Sequence, residues 1–321
     1  MFRIEYPFKK EILACGAQSE AGFCLTKKNL GYVINGLGKW LEDSVLEHYR
    51  QQIGRARDEL KIKPKVIAHD LHPEYASTKY AQSLSQSSKG LKYFPIQHHH
   101  AHIASCIAEN RHEGKVIAVV FDGAGYGEDG NIWGGGFFVG DLRAFRRVAY
   151  LRDGAAKGAA LSAAGLFDAV SILAGLREQV EYEGQGIIDL EKIVNRSTHV
   201  ASKNYEFTLG SEKGQFSINT EPILQNISED LKSNISKSII SAAFHNTLVE
   251  LIVQVCHKIS QKEKTKSIIL TGTVFQNKVL LNRLKDLLSR EGFEVITHRH
   301  FSCNDSNISF GQAVLADARC K

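Results

Sequence analysis

Two stretches of the chain carry the same rhythm of apolar runs and polar breaks. Residues 11 to 34, EILACGAQSEAGFCLTKKNLGYVI, set apolar runs of strand length between short polar turns, predicting strand, glycine turn, strand, short turn, strand. Residues 116 to 139, VIAVVFDGAGYGEDGNIWGGGFFV, repeat the layout with a longer loop. A strand that ends in a tight glycine turn lets backbone N–H groups face an anion before the chain returns antiparallel. The repetition reads as a duplicated half.

Helical and strand patterns alternate after each unit. Trp40 to Leu60 predicts an amphipathic helix, Lys65 to Asp70 (KVIAHD) a short buried strand, Tyr93 to Gln97 another strand, and His99 to Asn110 a helix. Further on, Leu166 to Leu176 and Ser238 to Ile259 have helical periodicity, with Ile240, Phe244, Leu248, Leu251 and Val255 on one face. Ser267 to Leu270 predicts a strand, Phe275 to Ser289 a helix, and Glu294 to Thr297 a last or edge strand. Residues 194 to 235 read as a surface β-excursion, and 154 to 165 (GAAKGAALSAAG) as a flexible bridge or poor helix without chemistry of its own. The expected fold class is α/β, in two related lobes, residues 1–112 and 113–321, with mixed sheets flanked by helices. Ligands in such sheets sit in the crevice beyond the carboxyl ends of the strands.

At 321 residues the chain has room for two units, or for one built from two halves. Hydrophobic residues at 43% and charged residues at 23% exclude a disordered tail, a coiled coil or a collagen-like rod. The net charge of +5 comes from lysines and arginines spread along the chain, so a nucleic-acid partner is not expected. No run approaches eighteen or so consecutive apolar residues, and the start, MFRIEYP, lacks the basic lead and apolar run of a signal peptide. A cytoplasmic protein without a membrane partner is expected. Cys15, Cys24, Cys106, Cys256, Cys303 and Cys320 form no C-x-x-C pair and are read as isolated thiols.

The densest chemistry lies in Gln97-His98-His99-His100-Ala101-His102, at the join of a strand and a helix. Imidazoles at i and i+4 lie side by side on a helix, so His98 and His102 suit a shared metal; a solvated histidine patch is the alternative. Oxygen ligands would complete a site for iron or zinc, and Asp122 and Asp305, in turns, are the candidates, ahead of the Cys303 thiol. The segment from Asp122 to Gly136 contains seven glycines that would let amides approach a phosphate. Thr271-Gly272-Thr273 sits between a strand and the helix holding Gln276 and Asn277, and EYEGQG at 181 to 186 adds a third glycine turn. Three such loops in a duplicated frame point to a nucleotide crevice between lobes. His245 reads as a core histidine.

QHHHAHIAS, FDGAGYGEDGNIWGGG, GLFDAVSILAGLREQVEYEGQ, LTGTVFQNKVLLNRL, NDSNISFGQAVLA and DLHPEYASTKYA together resemble the C-terminal region of the HypF carbamoyltransferases of nickel–iron hydrogenase maturation. The resemblance runs in family order from about residue 11 to 317. It implies an actin-like ATPase fold of the sugar-kinase and heat-shock-protein superfamily. It also implies a metal held by His98, His102, Asp122 and Asp305, and an ATP-derived carbamoyl-adenylate at Asp122, Gly123, Gly125 and Gly127, with Asp168, Gly184 and Asn277. Gly272 and Thr273 join that set from the strand-to-helix loop. The implied acceptor is the C-terminal cysteine of a HypE-like protein; by their proximity in sequence to His98 and His102, His99 or His100 would take its thiol proton. Members of that family carry an acylphosphatase domain, zinc-finger modules and an adenylate-forming domain upstream, so a separately supplied adenylate-forming domain is an expected partner. The family's proline- and glycine-rich segment ending in Glu-Pro-Trp-Arg is replaced here by GAAKGAALSAAG. Gly136, Gly165 and Thr273 stand where glutamate, arginine and glycine are usual. Those departures keep open a nucleotide-binding interaction module without turnover; a tRNA threonylcarbamoyltransferase-like enzyme is the other alternative.

Overall fold

A computed structural model describes residues 1–19, 21–40, 43–152, 162–182, 184–194 and 203–320. The first half runs β1 (Phe2–Glu5), β2 (Ile12–Ala14), β3 (Phe23–Lys27), β4 (Leu30–Ile34), α1 (Asp43–Leu60), β5 (Val66–Asp70), α2 (Ala76–Ser87), β6 (Lys92–Ile96) and α3 (His98–Asn110). The second half runs β7 (Val116–Tyr126), β8 (Ile132–Asp141), β9 (Ala144–Leu151), α4 (Ala163–Leu173), α5 (Gln185–Ile193), β10 (Thr208–Glu212) and β11 (Gln215–Asn219). It continues through α6 (Glu221–Lys232), α7 (Lys237–Glu263), β12 (Ser267–Thr271), α8 (Lys278–Arg290), β13 (Glu294–Ile296) and α9 (Ile308–Arg319).

The duplication expected from the sequence is present in the strand order. One sheet is ordered β1-β4-β3-β2-β5-β6 and the other β10-β11-β9-β8-β7-β12-β13. In each, an antiparallel meander (β2-β3-β4 or β7-β8-β9) is extended from its first strand by two parallel strands, β5-β6 or β12-β13.

Strand alternation explains how the layers stack. Ile12, Ala14, Cys24 and Ala68 face one core, while Leu13, Cys15, Phe23, Leu25 and Ile67 face another, against α1 and α2. In the second sheet Ile117, Val119 and Phe121 pack with α4, α5, α7 and α8, whereas Val116, Ala118 and Val120 join the core of Ile12 and Ala14. The shared core is filled by α3 and α9, which lie between the two sheets. Every residue of α3 from His98 to Glu109 is buried, as is every residue of α9 from Ile308 to Asp317. A helix enclosed on all sides has no polar face to display, which is why periodicity reveals so little of α9.

The expected division at residue 112 falls in the connection from α3 to β7. The chain does pass from one sheet to the other between α3 and β7, but the C-terminal α9 returns to the first sheet. Gln312 locks it there: its Oε1 accepts from Gly16 N at 2.8 Å, and its Nε2 donates to Gly16 O at 3.1 Å. Asp317 Oδ1 accepts from the backbone N of Lys9 and of Lys10, both at 2.9 Å. The two halves are therefore one interleaved unit.

Other expectations shift in detail. The glycine-rich stretch from Asp122 to Gly136 is largely strand, since β7 continues to Tyr126 across a register shift and β8 begins at Ile132; only 127–131 form the turn. The expected excursion at 194–235 contains the β10-β11 hairpin, followed by helix α6. Of 154–165, Ser162 caps α4 by accepting from Gly165 N at 2.8 Å, and the rest up to residue 161 lies outside the described residues. Among the described residues, α7 is long and apolar enough by length and composition to cross a membrane, but Ile240, Phe244, Leu248, Leu251 and Val255 are in the core of the second half.

The closest approach inside the shared core generates a prediction. A Cβ on Gly311 of α9 would lie 1.9 Å from Ala101 O of α3. Gly311→Ala is expected to destabilise the protein by about 3 kcal/mol through overpacking. Gly54→Ala in α1, where a Cβ meets nothing within 4 Å, should stabilise by about 0.5–1 kcal/mol. Urea unfolding midpoints of the two variants, moving in opposite directions, are the check.

Candidate metal centre and crevice

The histidine run forms the first turn of α3 because Gln97 caps it, its Oε1 accepting from His100 N at 3.0 Å. Starting the helix at His98 puts His98 and His102 on one face, with ring centroids 5.1 Å apart. His98 Nδ1 donates to Asp70 Oδ2 at 2.7 Å, and His102 Nδ1 donates to Asn307 Oδ1 at 3.1 Å. These bonds fix both tautomers and turn the two Nε2 atoms toward the same point.

Asp122 and Asp305 face them. His102 Nε2 is 2.7 Å from Asp122 Oδ2 and 3.6 Å from Asp305 Oδ1, and His98 Nε2 is 3.5 Å and 3.4 Å from the same two atoms. One ligand atom from each of the four residues fits within 4.8 Å of the others. The carboxylates are oriented by their second oxygens: Asp122 Oδ1 accepts from Thr273 N at 3.0 Å, and Asp305 Oδ2 accepts from Ser19 Oγ at 2.6 Å.

Two imidazoles and two carboxylates in a space this small control one another's protons. Burial pushes Asp122 up, but His102 and His98 outweigh it and hold the carboxyl well below its ordinary range. Asp305 is held down in the same way by His98 and His102. Burial pulls His98 down, and the facing Asp305 and Asp70 carboxylates lift it well above the usual histidine value. A convergence that draws protons onto histidines draws a divalent cation in their place, and the donors, two nitrogens and two carboxylate oxygens, suit iron or zinc. Cys303 lies outside this group, and burial pushes its thiol up to about 12. Buried on all sides, the histidines do not form the solvated patch considered as the alternative.

The cluster forms one wall of a crevice of about 480 Å³. Of the expected nucleotide residues, Asp122, Gly123, Gly184 and Thr273 line it. The others support it from behind. Asp168 holds the EYEGQG turn by accepting from Gly184 N and Gly186 N, both at 2.7 Å, and Asn277 caps α8 while its Nδ2 donates to His245 Nε2 at 2.8 Å. Gly125 lies over the His99 ring and Gly127 over Trp133; Gly272, at φ +100°, approaches the Phe121 carbonyl too closely for any Cβ.

His99 and His100 do not reach the crevice, which corrects their expected part in proton transfer. His99 lies under Gly125, stacked on Phe138, with Gln97 Nε2 donating to its Nδ1 at 2.9 Å. His100 is wedged against Phe138 and Phe145, and burial pushes its pKa down to about 3. Sequence reasoning also missed several residues. Asp70 and Tyr75 lie in DLHPEYASTKYA, a motif quoted only as a resemblance; the Tyr75 phenol, pushed up to about 12 by burial, lines the crevice as a protonated hydroxyl. Asn307 follows Asp305 in the same 3-10 turn, Asp305–Asn307, whereas nothing around Ser19 signals its contact across 286 positions of sequence.

The sequence matches the families described as "HypF Kae1-like domain" at residues 7–109 and "Carbamoyltransferase, Kae1-like Domain, second subdomain" at residues 118–165 and 155–312. It is 26% identical to "Carbamoyltransferase HypF" of Synechocystis sp., over 95% of this chain and 47% of that protein. It is likewise 26% identical to "Carbamoyltransferase HypF homolog" of Cupriavidus necator, over 95% of this chain and 91% of that protein. A full-length HypF crystallised in a phosphate- and nucleotide-bound form superposes with a TM-score of 0.90 at 33% identity, covering 98% of this chain and 57% of that one. The chain thus spans about half the length of most curated relatives it matches.

Elemental analysis of the purified protein should find a transition metal that is lost in His102→Ala and Asp305→Ala. Asp70→Asn is expected to keep the fold and weaken metal affinity about 10- to 100-fold, since it removes the carboxylate charge that orients His98 while its amide oxygen can still accept from His72 N. Retention of full metal in Asp305→Ala overturns the grouping. In chelator-stripped protein the raised His98 value has a definite sign: its stabilising contribution is complete below about pH 6.5 and is lost as pH rises through its elevated folded value. Urea midpoints of stripped His98→Gln and wild type should therefore differ most at acidic pH and converge at alkaline pH.

Proposed function

The chain belongs to the HypF carbamoyltransferase family through its Kae1-like domain, and on that footing we propose that it transfers a carbamoyl group to a protein thiol. The donor is carbamoyl-adenylate, and the acceptor is the C-terminal cysteine of a HypE-like protein in hydrogenase cyanide-ligand synthesis. The observation that carries this reading is the convergence of His98, His102, Asp122 and Asp305 on the wall of a crevice that Gly184 and Thr273 also line.

His98, His102, Asp122 and Asp305 would hold an iron or zinc ion, which would supply Lewis acidity to polarise a carbonyl. The residues of the chain do the rest by position. Asp70 and Asn307 fix the ligand tautomers, while Thr273 N holds Asp122 in place. Gly123, Ala124 and Gly184 let the adenylate lie close to the backbone, and Gln276, Asn304 and Ser306 offer polar contacts along the same wall. The incoming thiolate sulfur bonds to the carbamoyl carbon, and the bond from that carbon to the phosphate oxygen breaks, so AMP leaves and a thiocarbamate remains. With His99 and His100 shielded, the thiol proton is lost to solvent in the open crevice before the sulfur attacks. Formation of the adenylate belongs to a separately supplied domain.

A nucleotide-binding module without turnover is the second reading, favoured by Gly136, Gly165 and Thr273 standing where the family uses other residues. Incubating the chain with carbamoyl-adenylate and a HypE-like protein, with mass spectrometry of the acceptor's C-terminus, separates the two. Carbamoylation that falls at least about 100-fold in His102→Ala supports transfer. Nucleotide binding with no carbamoylation by the metal-loaded wild type favours the module.

A further inference from the structure

At the end of the first sheet opposite the metal centre lies a second cavity, of about 300 Å³. The parallel strands β2, β5 and β6 begin there, and Asp70 and His98 lie at their far ends, about 15 Å away along the strands. Its floor is apolar, made by Leu13, Pro64, Leu84 and Leu91. Its rim carries four cations, Arg57 at the end of α1, Lys63 and Lys65 before β5, and Lys89 after α2, and no acidic side chain is among the lining residues.

These cations are not used by the fold. None of the four forms an ion pair or a side-chain hydrogen bond among the described residues, and Arg57 Nε is buried with no partner. The ordinary employment of a basic residue at a helix end is to serve the terminal carbonyls. Here Lys27 does that, with its Nζ donating to Leu60 O at 2.8 Å and Lys61 O at 2.9 Å, while Arg57 O accepts from Ile62 N. The nearest carboxylate bonded to this segment, Glu11, accepts through Oε2 from the backbone N of Lys63. Four like charges around one concavity repel one another, and a guanidinium N–H without an acceptor is costly to bury.

We propose that this cavity is a second binding site, for a compact polyanion of the phosphate-ester or pyrophosphate class. The Arg57 guanidinium gives the directional contact, the three lysines add charge, and the leucine floor takes a small organic group. The size, at the lower limit of ligand pockets, excludes a large cofactor. The site is independent of the carbamoyl-transfer reading, since it shares no residue with the crevice.

Isothermal titration of the full protein, as purified, with pyrophosphate is the test. The expected result is a saturable site whose affinity drops at least tenfold in Arg57→Ala and in the Lys63→Glu/Lys89→Glu double variant, and is unchanged in His102→Ala. Both lysines are exposed, so the double variant keeps the fold even if Arg57→Ala does not. Four outcomes overturn the proposal: no saturable heat, equal affinity in the double variant and wild type, loss of binding in His102→Ala, or equal competition by chloride, which marks an adventitious ion only.

Discussion

Everything else in the molecule is arranged around the meeting of two imidazole nitrogens and two carboxylate oxygens, three of the four side chains buried and Asp305 open to the crevice. Charged groups taken out of water must be compensated where they stand. Here the compensation is mutual, and each member is also held by a partner behind it: His98 by Asp70, His102 by Asn307, Asp122 by Thr273, Asp305 by Ser19. Those partners come from both sheets and from the connections between them. The centre therefore forms only when the two halves close on one another.

The interleaved fold answers that demand. By placing α3 and α9 between the sheets, the chain puts the histidine helix where strands from both halves end near it. Phe301 and Phe310 pack with Ile4 and Phe8 in the same core, so the segment that delivers Asp305 is anchored to the first sheet. Glu109 at the end of α3 secures this connection, its Oε2 accepting from the backbone N of Arg299 and of His300 and its Oε1 from His298 Nδ1. His298 in turn bonds Thr271 at the end of β12, so the strand that precedes Thr273 and the helix that carries His98 and His102 are tied through one carboxylate.

The convergence of His98, His102, Asp122 and Asp305 was legible because helical spacing and residue chemistry are both local: H-x-x-x-H is visible in five letters, and a carboxylate after a buried strand is conspicuous. The duplicated meander was legible for the same reason, since apolar runs of strand length bounded by polar turns mark the segments of Leu13 and Ile117 as buried strands. What stayed hidden depends on packing between distant segments. The rings of His99 and His100 are one and two positions from His98, yet helix rotation points them into the aromatic layer of Phe138 and Phe145. Gly125 and Gly127 look like phosphate-binding glycines, but they belong to strand β7 and its turn, where rings press against them. Asp168 and Asn277 are polar residues in the expected neighbourhood that act by holding backbone, a task with no compositional mark. Ser19 meets Asp305 only because α9 crosses back, and no pattern announces that crossing.

The central claim is that these four side chains form a single metal site. Diffraction data collected on either side of the iron and zinc absorption edges, from crystals of the protein as purified, test it most directly. The account predicts one anomalous peak, within bonding distance of His98 Nε2, His102 Nε2, Asp122 and Asp305. A peak elsewhere in the molecule, or none at this position in metal-replete crystals, contradicts it.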